Sequence, residues 1–210
     1  MLVPTTLTSV FMAILLGAIS QNHKPLCWVA KPMASLGFLL VALQAPTTFG
    51  TLYGRTIFAG LILDFLGDVL LINGDDLTFT LGLGSFLLGH VAYIVAFYQT
   101  GVTWTWFLLA MLPLTAFAVV VRNALWPTVP GDMKLPVLLY IIVITVMVAS
   151  AVGSVPYSRH PRMQLLGVTL FFISDLLVAK EKFVDNSFLN PLVGLPLYYA
   201  AQHVLARTLY

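Results

Sequence analysis

The sequence predicts an all-α fold, a polytopic membrane bundle of about eight transmembrane helices, and three observations carry that reading. Sixty per cent of the 210 residues are hydrophobic and only 9% are charged, where a soluble domain has about a quarter charged. Apolar runs long enough to span a bilayer, roughly 20 residues, recur along the whole chain. Within these runs apolar residues do not alternate with polar ones, as they would in the strands of a membrane barrel. Eight spans of ~20 residues use about 160 of the 210 positions. The links are therefore short, no soluble domain fits, and residues 1–210 form a single transmembrane domain.

The spans follow in order. The first, about 3–20, has no basic stretch ahead of it, so Leu2–Ser20 reads as a retained helix and not as a cleaved signal. The second, about 26–44, ends at the turn-rich segment APTTFG (45–50). The third, about 56–73, runs into the acidic turn NGDD (73–76), whose Asp76 is placed to cap the fourth helix. Spans four and five occupy about 79–98 and 104–121. The Pro- and Gly-rich link PTVPGD (127–132) precedes span six, about 134–155. The polar link PYSRHP (156–161) leads to span seven, about 161–180, and span eight covers about 188–208. Trp28, Trp104, Trp106, Trp126, Tyr157 and Tyr210 fall near span ends and fit an interfacial belt. An even number of spans puts both ends of the chain on one side of the membrane.

Charge excludes several functions. The formal net charge is +2, and no Lys/Arg cluster suggests nucleic acid or an anionic-lipid switch. Positive residues do not orient the bundle: four (Arg55, Arg159, Arg162, Arg207) fall on one side and five (Lys24, Arg122, Lys134, Lys180, Lys182) on the other. Cys27, the single cysteine, rules out an internal disulfide and any CxxC metal site. The four histidines form neither HxxxH nor HExxH. No GxSxG elbow and no Gly-rich phosphate loop is present. Neither metal nor cofactor is expected, and carboxylates are the best remaining chemical agents.

The carboxylates sit where they are costly. Asp64 and Asp68 lie inside FAGLILDFLGDVLLI (58–72), and an ionised side chain at the bilayer centre costs at least ~2.5–3.5 kcal/mol on the insertion scale. One helical turn apart, they share a face with Cβ atoms ~5–6 Å from each other. Asp175 follows Ser174 in span seven, far from both membrane faces. An intramembrane acid marks a functional site by default. The other polar groups deep in spans are Lys31, His90, Tyr93, Tyr198, Tyr199, Gln202 and His203. Lys31 has a structural alternative, an ion pair with one Asp. His90 fits a helix-bridging hydrogen bond as well as proton transfer. Tyr199, Gln202 and His203 fit helix–helix adhesion. Gly67-DVLLI in span three also echoes Ser174-DLLVA in span seven, with the aspartates 107 positions apart. The two spans run in the same direction, which would suit two parallel four-helix halves, as in some transporters.

These residues resemble a known family. The runs WVAKPM (28–33), FAGLILDFLGDVLLI (58–72), LGLGSFLLGHVAYIVAFY (81–98) and LFFISDLLVA (170–179) look like the YhhN family of integral membrane proteins, which includes the lysoplasmalogenases. The likeness covers the chain from about Lys24 to Arg207, and the order Lys-Pro, Gly-Asp, Gly-His-x-x-Tyr, Ser-Asp is a specific combination. By motif it implies functional roles for Lys31, Asp68, His90, Tyr93 and Asp175. The family pattern has a small hydroxyl residue where this chain has Asp64, which shifts weight from the Asp64–Asp68 pair to Asp68 with Asp175.

The resemblance implies hydrolysis of the vinyl ether bond of a lysoplasmalogen, giving a fatty aldehyde and a glycerophospho-ethanolamine or -choline. Asp68 and Asp175 would be the acid/base pair, with Lys31 and His90 tuning or relaying protons. Asp64, Tyr93, Tyr199 and Gln202 would contact the substrate, a lysophospholipid drawn from the membrane, and Arg55, Arg122 and Arg159 are candidates for its phosphate. The protein would reside in a bacterial inner membrane or, in a eukaryote, the endoplasmic reticulum. A rival reading uses the same acids as protonation sites in a proton-coupled transporter of a lipid or small amphiphile. A non-catalytic lipid-binding subunit explains buried acids least well.

Overall fold

Most apolar runs stop close to a proline or glycine: Pro46, Gly74, Gly101, Pro127 and Gly153 close or follow five of the eight. The computed structural model, which describes residues 2–210, contains α1 (Leu2–Ser20), α2 (Lys24–Gln44), α3 (Leu52–Leu70) and α4 (Asp76–Thr100), then α5 (Trp104–Leu125), α6 (Lys134–Gly153), α7 (Pro161–Phe183) and α8 (Leu189–Arg207). No strand occurs among the described residues. His23 caps α2 by accepting the Leu26 amide at 3.2 Å, and Thr51 caps α3 by accepting the Gly54 amide at 2.9 Å.

At α4 the expected cap, Asp76, gives way to Asp75, which accepts the Thr78 amide at 2.9 Å. Asp75 has the extended backbone a cap needs (φ −71°, ψ 159°). Asp76 is already helical and reaches Lys182 Nζ at 3.0 Å instead. Hydrogen bonds from the Thr78 hydroxyl and amide hold the Asp75 carboxyl below its ordinary range.

Six helices (α1, α2, α4, α5, α6 with the short turn before it, and α7) are long and apolar enough to cross a membrane. At 19 residues α3 and α8 are ~28 Å long, close to the ~30 Å hydrocarbon thickness. They are less apolar because they carry Asp64, Asp68, Asn190, Gln202 and His203, all of them buried. The two helices least suited to lipid both carry buried polar groups. Both ends of the chain lie at one end of the bundle: Thr8 bonds the Ala34 carbonyl and His203, and the Tyr210 hydroxyl bonds the Val41 carbonyl.

The packing repeats itself. Helices pair as α1–α2, α3–α4, α5–α6 and α7–α8; α2 packs on α3 as α6 does on α7; α4 packs on α6 as α8 does on α2. Exchanging the two four-helix halves maps this set of contacts onto itself. The register agrees. At the 107-residue offset α3 and α7 share Arg55/Arg162, Gly60/Gly167, Leu63/Leu170, Phe65/Phe172, Asp68/Asp175 and Leu70/Leu177.

Small residues let the paired helices approach, as in other membrane bundles. A methyl group on Gly67 would lie 2.6 Å from the Phe86 ring, and one on Gly60 would lie 2.6 Å from the Tyr93 ring. Where α3 has Gly67, α7 has Ser174, whose hydroxyl bonds the Gly194 carbonyl of α8 at 3.0 Å. The two halves therefore close on the same positions by different means.

Candidate active site

Asp68 and Asp175 line a single interior cavity of about 590 Å³. Its walls are largely apolar, with Leu15, Leu83, Val121, Ile141 and Phe172 among them. It extends to the bundle end formed by the α3–α4 and α7–α8 links, where the exposed Gly74 and Asn186 border it.

The α3 carboxylate is the more deeply set. Asp68 Oδ2 accepts the Ser35 hydroxyl at 2.6 Å and the Tyr198 hydroxyl at 2.7 Å, while Lys31 Nζ stands 3.6 Å from Oδ1. Its side chain is 3% exposed and that of Lys31 13%. A largely buried lysine is favoured where it meets a carboxylate, which explains why α2 tolerates Lys31 within its apolar run.

The α7 carboxylate is held from both halves. Asp175 Oδ2 meets His90 Nε2 at 3.0 Å and accepts the Tyr140 hydroxyl at 2.8 Å. The Tyr140 oxygen is also 3.2 Å from His90 Nε2, so the three groups form a tight polar triangle. Its side chain is 15% exposed, five times the fraction for Asp68. His90 is fully buried, its ring edge-on to Phe171 at 4.7 Å between centroids, and its Nδ1 has no hydrogen-bond partner.

The halves assign their parts alike. Asp68 of α3 is gripped by α8 (Tyr198) and α2 (Ser35, Lys31), and Asp175 of α7 is gripped by α4 (His90) and α6 (Tyr140). His90 and Tyr198 are 108 positions apart, one more than the aspartates. Phe171 joins the two cradles, packing edge-on against His90, Tyr93, Phe86 and Tyr198.

Of the residues expected at the site, Lys31, Asp68 and Asp175 border the cavity. His90 stands behind Asp175 and is not a lining residue. Asp64, Tyr93 and Gln202 form a separate buried network next to it. Asp64 Oδ2 accepts Tyr93 at 2.6 Å and Gln202 Nε2 at 2.7 Å, and its Oδ1 is buried without a partner. Tyr199 lies 3.4 Å from both the Ser35 hydroxyl and the Lys31 carbonyl, outside the cavity, while its neighbour Tyr198 lines it. His203 ties α8 to α1 through Thr8 at 2.9 Å.

None of the three arginines considered for the phosphate borders this cavity. Arg55 donates to the Phe49 carbonyl, Arg122 stacks on Trp126, and Arg159 lines a smaller cavity at the opposite end. Sequence reasoning passed over Tyr140, Ser35 and the role of Tyr198. A tyrosine in mid-span, away from the interfacial belt, was the available signal for Tyr140 and Tyr198.

Fold and site together define a multi-pass helical membrane protein with a buried two-carboxylate centre. The YhhN family model matches residues 26–209, and the chain belongs to that family. It is 27% identical over 187 residues, 87% of this chain and 86% of each relative, to proteins named "Uncharacterized membrane protein YhhN" from Escherichia coli O6:H1, Escherichia coli O157:H7 and Shigella flexneri. No solved structure matches.

Proposed function

We propose that the protein hydrolyses the vinyl ether bond of a lysoplasmalogen. The observation that supports this most directly is the pair of carboxylates from parallel helices, Asp68 and Asp175, bordering one apolar-walled cavity. Vinyl ethers are acid-labile. A general acid protonates the β-carbon of the enol ether, and the α-carbon becomes an oxocarbenium ion. A base takes a proton from water as its oxygen adds to that carbon. The resulting hemiacetal collapses to fatty aldehyde as the departing glycerol oxygen is protonated, so one water is consumed and no net proton is used. Two carboxylates handle a comparable oxocarbenium-like transition state in glycoside hydrolysis.

The cradles suggest a division of labour. Asp68, facing the Lys31 ammonium, is the base. Asp175, in contact with His90 and Tyr140 and the more exposed of the two, is the donor, and His90 restores its proton. Release of aldehyde from a lysoplasmalogen by detergent-purified protein tests the reading; no aldehyde above a buffer control would overturn it.

The repeat of the two halves favours a second reading, a proton-coupled transporter of a lipid or small amphiphile. Transporters of parallel-repeat type place their sites at the interface of the halves, and here each half supplies one acid to one cavity. Substrate-dependent proton flux in liposomes, without aldehyde release, would establish this reading over the first.

A further inference from the structure

The acid–base reading gives the Lys31 amine only a tuning role, yet its surroundings suit a chemistry of its own. Lys31 lines the apolar-walled cavity, which also has Leu15, Ile19 and Leu71 in its lining. Among the described residues its ammonium has one ion-pair partner, Asp68 Oδ1 at 3.6 Å. The other oxygen of that carboxylate accepts the Ser35 and Tyr198 hydroxyls at 2.6 and 2.7 Å. Lys182 lines the cavity as well, but its Nζ pairs at 3.0 Å with Asp76, whose side chain is 85% exposed. The remaining lysines, Lys24, Lys134 and Lys180, do not border it. Lys31 therefore joins a primary amine to an interior carboxylate and an apolar wall. Imine chemistry requires those things: a group to exchange protons with the nitrogen, a pocket that favours an organic carbonyl over water, and a counterion for the cationic product.

We propose that Lys31 condenses with a long-chain aliphatic aldehyde, which the cavity then holds as a protonated Schiff base with Asp68 as its counterion. A primary amine selects the carbonyl carbon, and the aliphatic and aromatic walls select a hydrocarbon chain behind it. At about 590 Å³ the cavity falls in the range that binds small molecules, ~300–1,000 Å³. The step balances. Asp68 takes one proton from the ammonium, and the nitrogen lone pair adds to the carbonyl carbon. A second proton passes from nitrogen to the former carbonyl oxygen, which gives the carbinolamine. Asp68 returns its proton to that hydroxyl, which leaves as water while the nitrogen lone pair forms the C=N bond. Ammonium and aldehyde thus become iminium and water, with no oxidant and no net proton. The proposal rests on the hydrolysis reading only for the source of the aldehyde, which that reaction would release between Asp68 and Asp175. The adduct is then a retained product, and turnover slows as it accumulates.

The test supplies hexadecanal directly to the full-length protein in detergent, so it does not depend on hydrolysis. Cyanoborohydride reduces the iminium to a stable secondary amine. The adduct is read as a mass gain of one hexadecyl group and located by peptide mapping. A single adduct should form first at Lys31, ahead of Lys182 and of the exposed Lys24 and Lys180. Lys31→Arg keeps the cation but cannot form an imine, so the fast adduct should vanish and only slow labelling of the other lysines remain. Asp68→Asn should slow the Lys31 adduct about 10²-fold, as loss of a proton-exchanging group does.

Should Lys31→Arg lower thermal stability, chain length on the unmodified protein replaces it. The rate at Lys31 relative to exposed Lys24 should rise about tenfold or more from butanal to hexadecanal, because each methylene buried in the cavity adds binding. A ratio independent of chain length overturns the proposal. So does labelling spread over the exposed lysines, labelling at Lys182 with none at Lys31, or an Asp68→Asn variant that labels at the normal rate. An adduct from hexadecanal, with no aldehyde released from a lysoplasmalogen, would overturn the hydrolysis and leave the Schiff base standing. Aldehyde release without an adduct would overturn the Schiff base and leave the hydrolysis standing.

Discussion

The cradles of Asp68 and Asp175 occupy matching places in the two halves, and their contents differ. Each carboxylate accepts a tyrosine hydroxyl, Tyr198 in one case and Tyr140 in the other. The remaining partners diverge: an ammonium and a hydroxyl around Asp68, an imidazole around Asp175. The difference extends one turn down the helix, where the offset that pairs the aspartates sets buried Asp64 against buried Phe171. A repeated backbone supplies two equivalent positions for an acid, and substitutions around them make the acids unlike. Acid–base chemistry needs that inequality, because one group gives a proton while the other takes one.

The comparison breaks most sharply at the carboxylates. Asp68→Asn and Asp175→Asn should each lower aldehyde formation ~10²–10⁴-fold with the protein still folded. Asparagine keeps shape and hydrogen bonding but cannot exchange the proton. Turnover near normal in both variants would end the acid–base assignment, and activity lost only in step with thermal stability would mean the acids merely hold helices together. Rate against pH should be bell-shaped in the unmodified protein, with limbs that belong to the coupled pair and not to single residues. A single sigmoid would mean that only one acid works.

The tyrosines sharpen it. Tyr140→Phe and Tyr198→Phe each remove one hydrogen bond to a carboxylate, worth ~1.5–3 kcal/mol when the acceptor is charged, or about 10- to 100-fold in rate. If the cradles are unlike in function, the two variants should move opposite limbs of the pH–rate curve; movement of the same limb would show that they act alike. Gly67→Ala pushes a methyl into the Phe86 ring and should cost ~1–3 kcal/mol of stability, as overpacking does. Thermal unfolding in detergent measures it, and an unchanged midpoint would mean that the ring moves aside. Smallest should be the effect of Asp64→Ser on turnover, less than about tenfold, because Asp64 lies outside the cavity. A loss equal to that of Asp68→Asn would bring Asp64 into the chemistry.

Much of this was legible beforehand. The eight apolar runs predicted the eight helices to within a few residues at nearly every end, because lipid demands length and apolarity from each span. Asp68, Asp175 and Lys31 stood out since a charge in a span is costly. The Gly-Asp/Ser-Asp echo pointed to the repeat, but its extent is visible only in helix pairing, as α2–α3 against α6–α7 shows. Tyr140 and Ser35 were passed over. A tyrosine among leucines and isoleucines, or a serine in a leucine-rich helix, carries no charge to make its position conspicuous. The choice of Tyr199 over Tyr198 turned on helix rotation, which two adjacent tyrosines do not reveal in sequence. Glu181 and Lys182 fall just past the end of the seventh apolar run, yet they line the cavity.

Helix α5 is the least embedded of the eight. It buries Leu125 alone and packs mainly on α6, with a light touch on α7. Yet its Val121 and Leu125 help wall the cavity. Segments with few buried contacts open at a lower free energy than the whole structure melts, so this wall moves at the least cost. Its outer face, with Leu108, Leu109 and Leu112, is exposed and suited to acyl chains. The cavity's size would then vary in time as well as in space, on the microsecond-to-millisecond scale of collective helix motions. A single-chain amphiphile would meet the site within the membrane plane, and the pace of its exchange would be that of one loosely held helix.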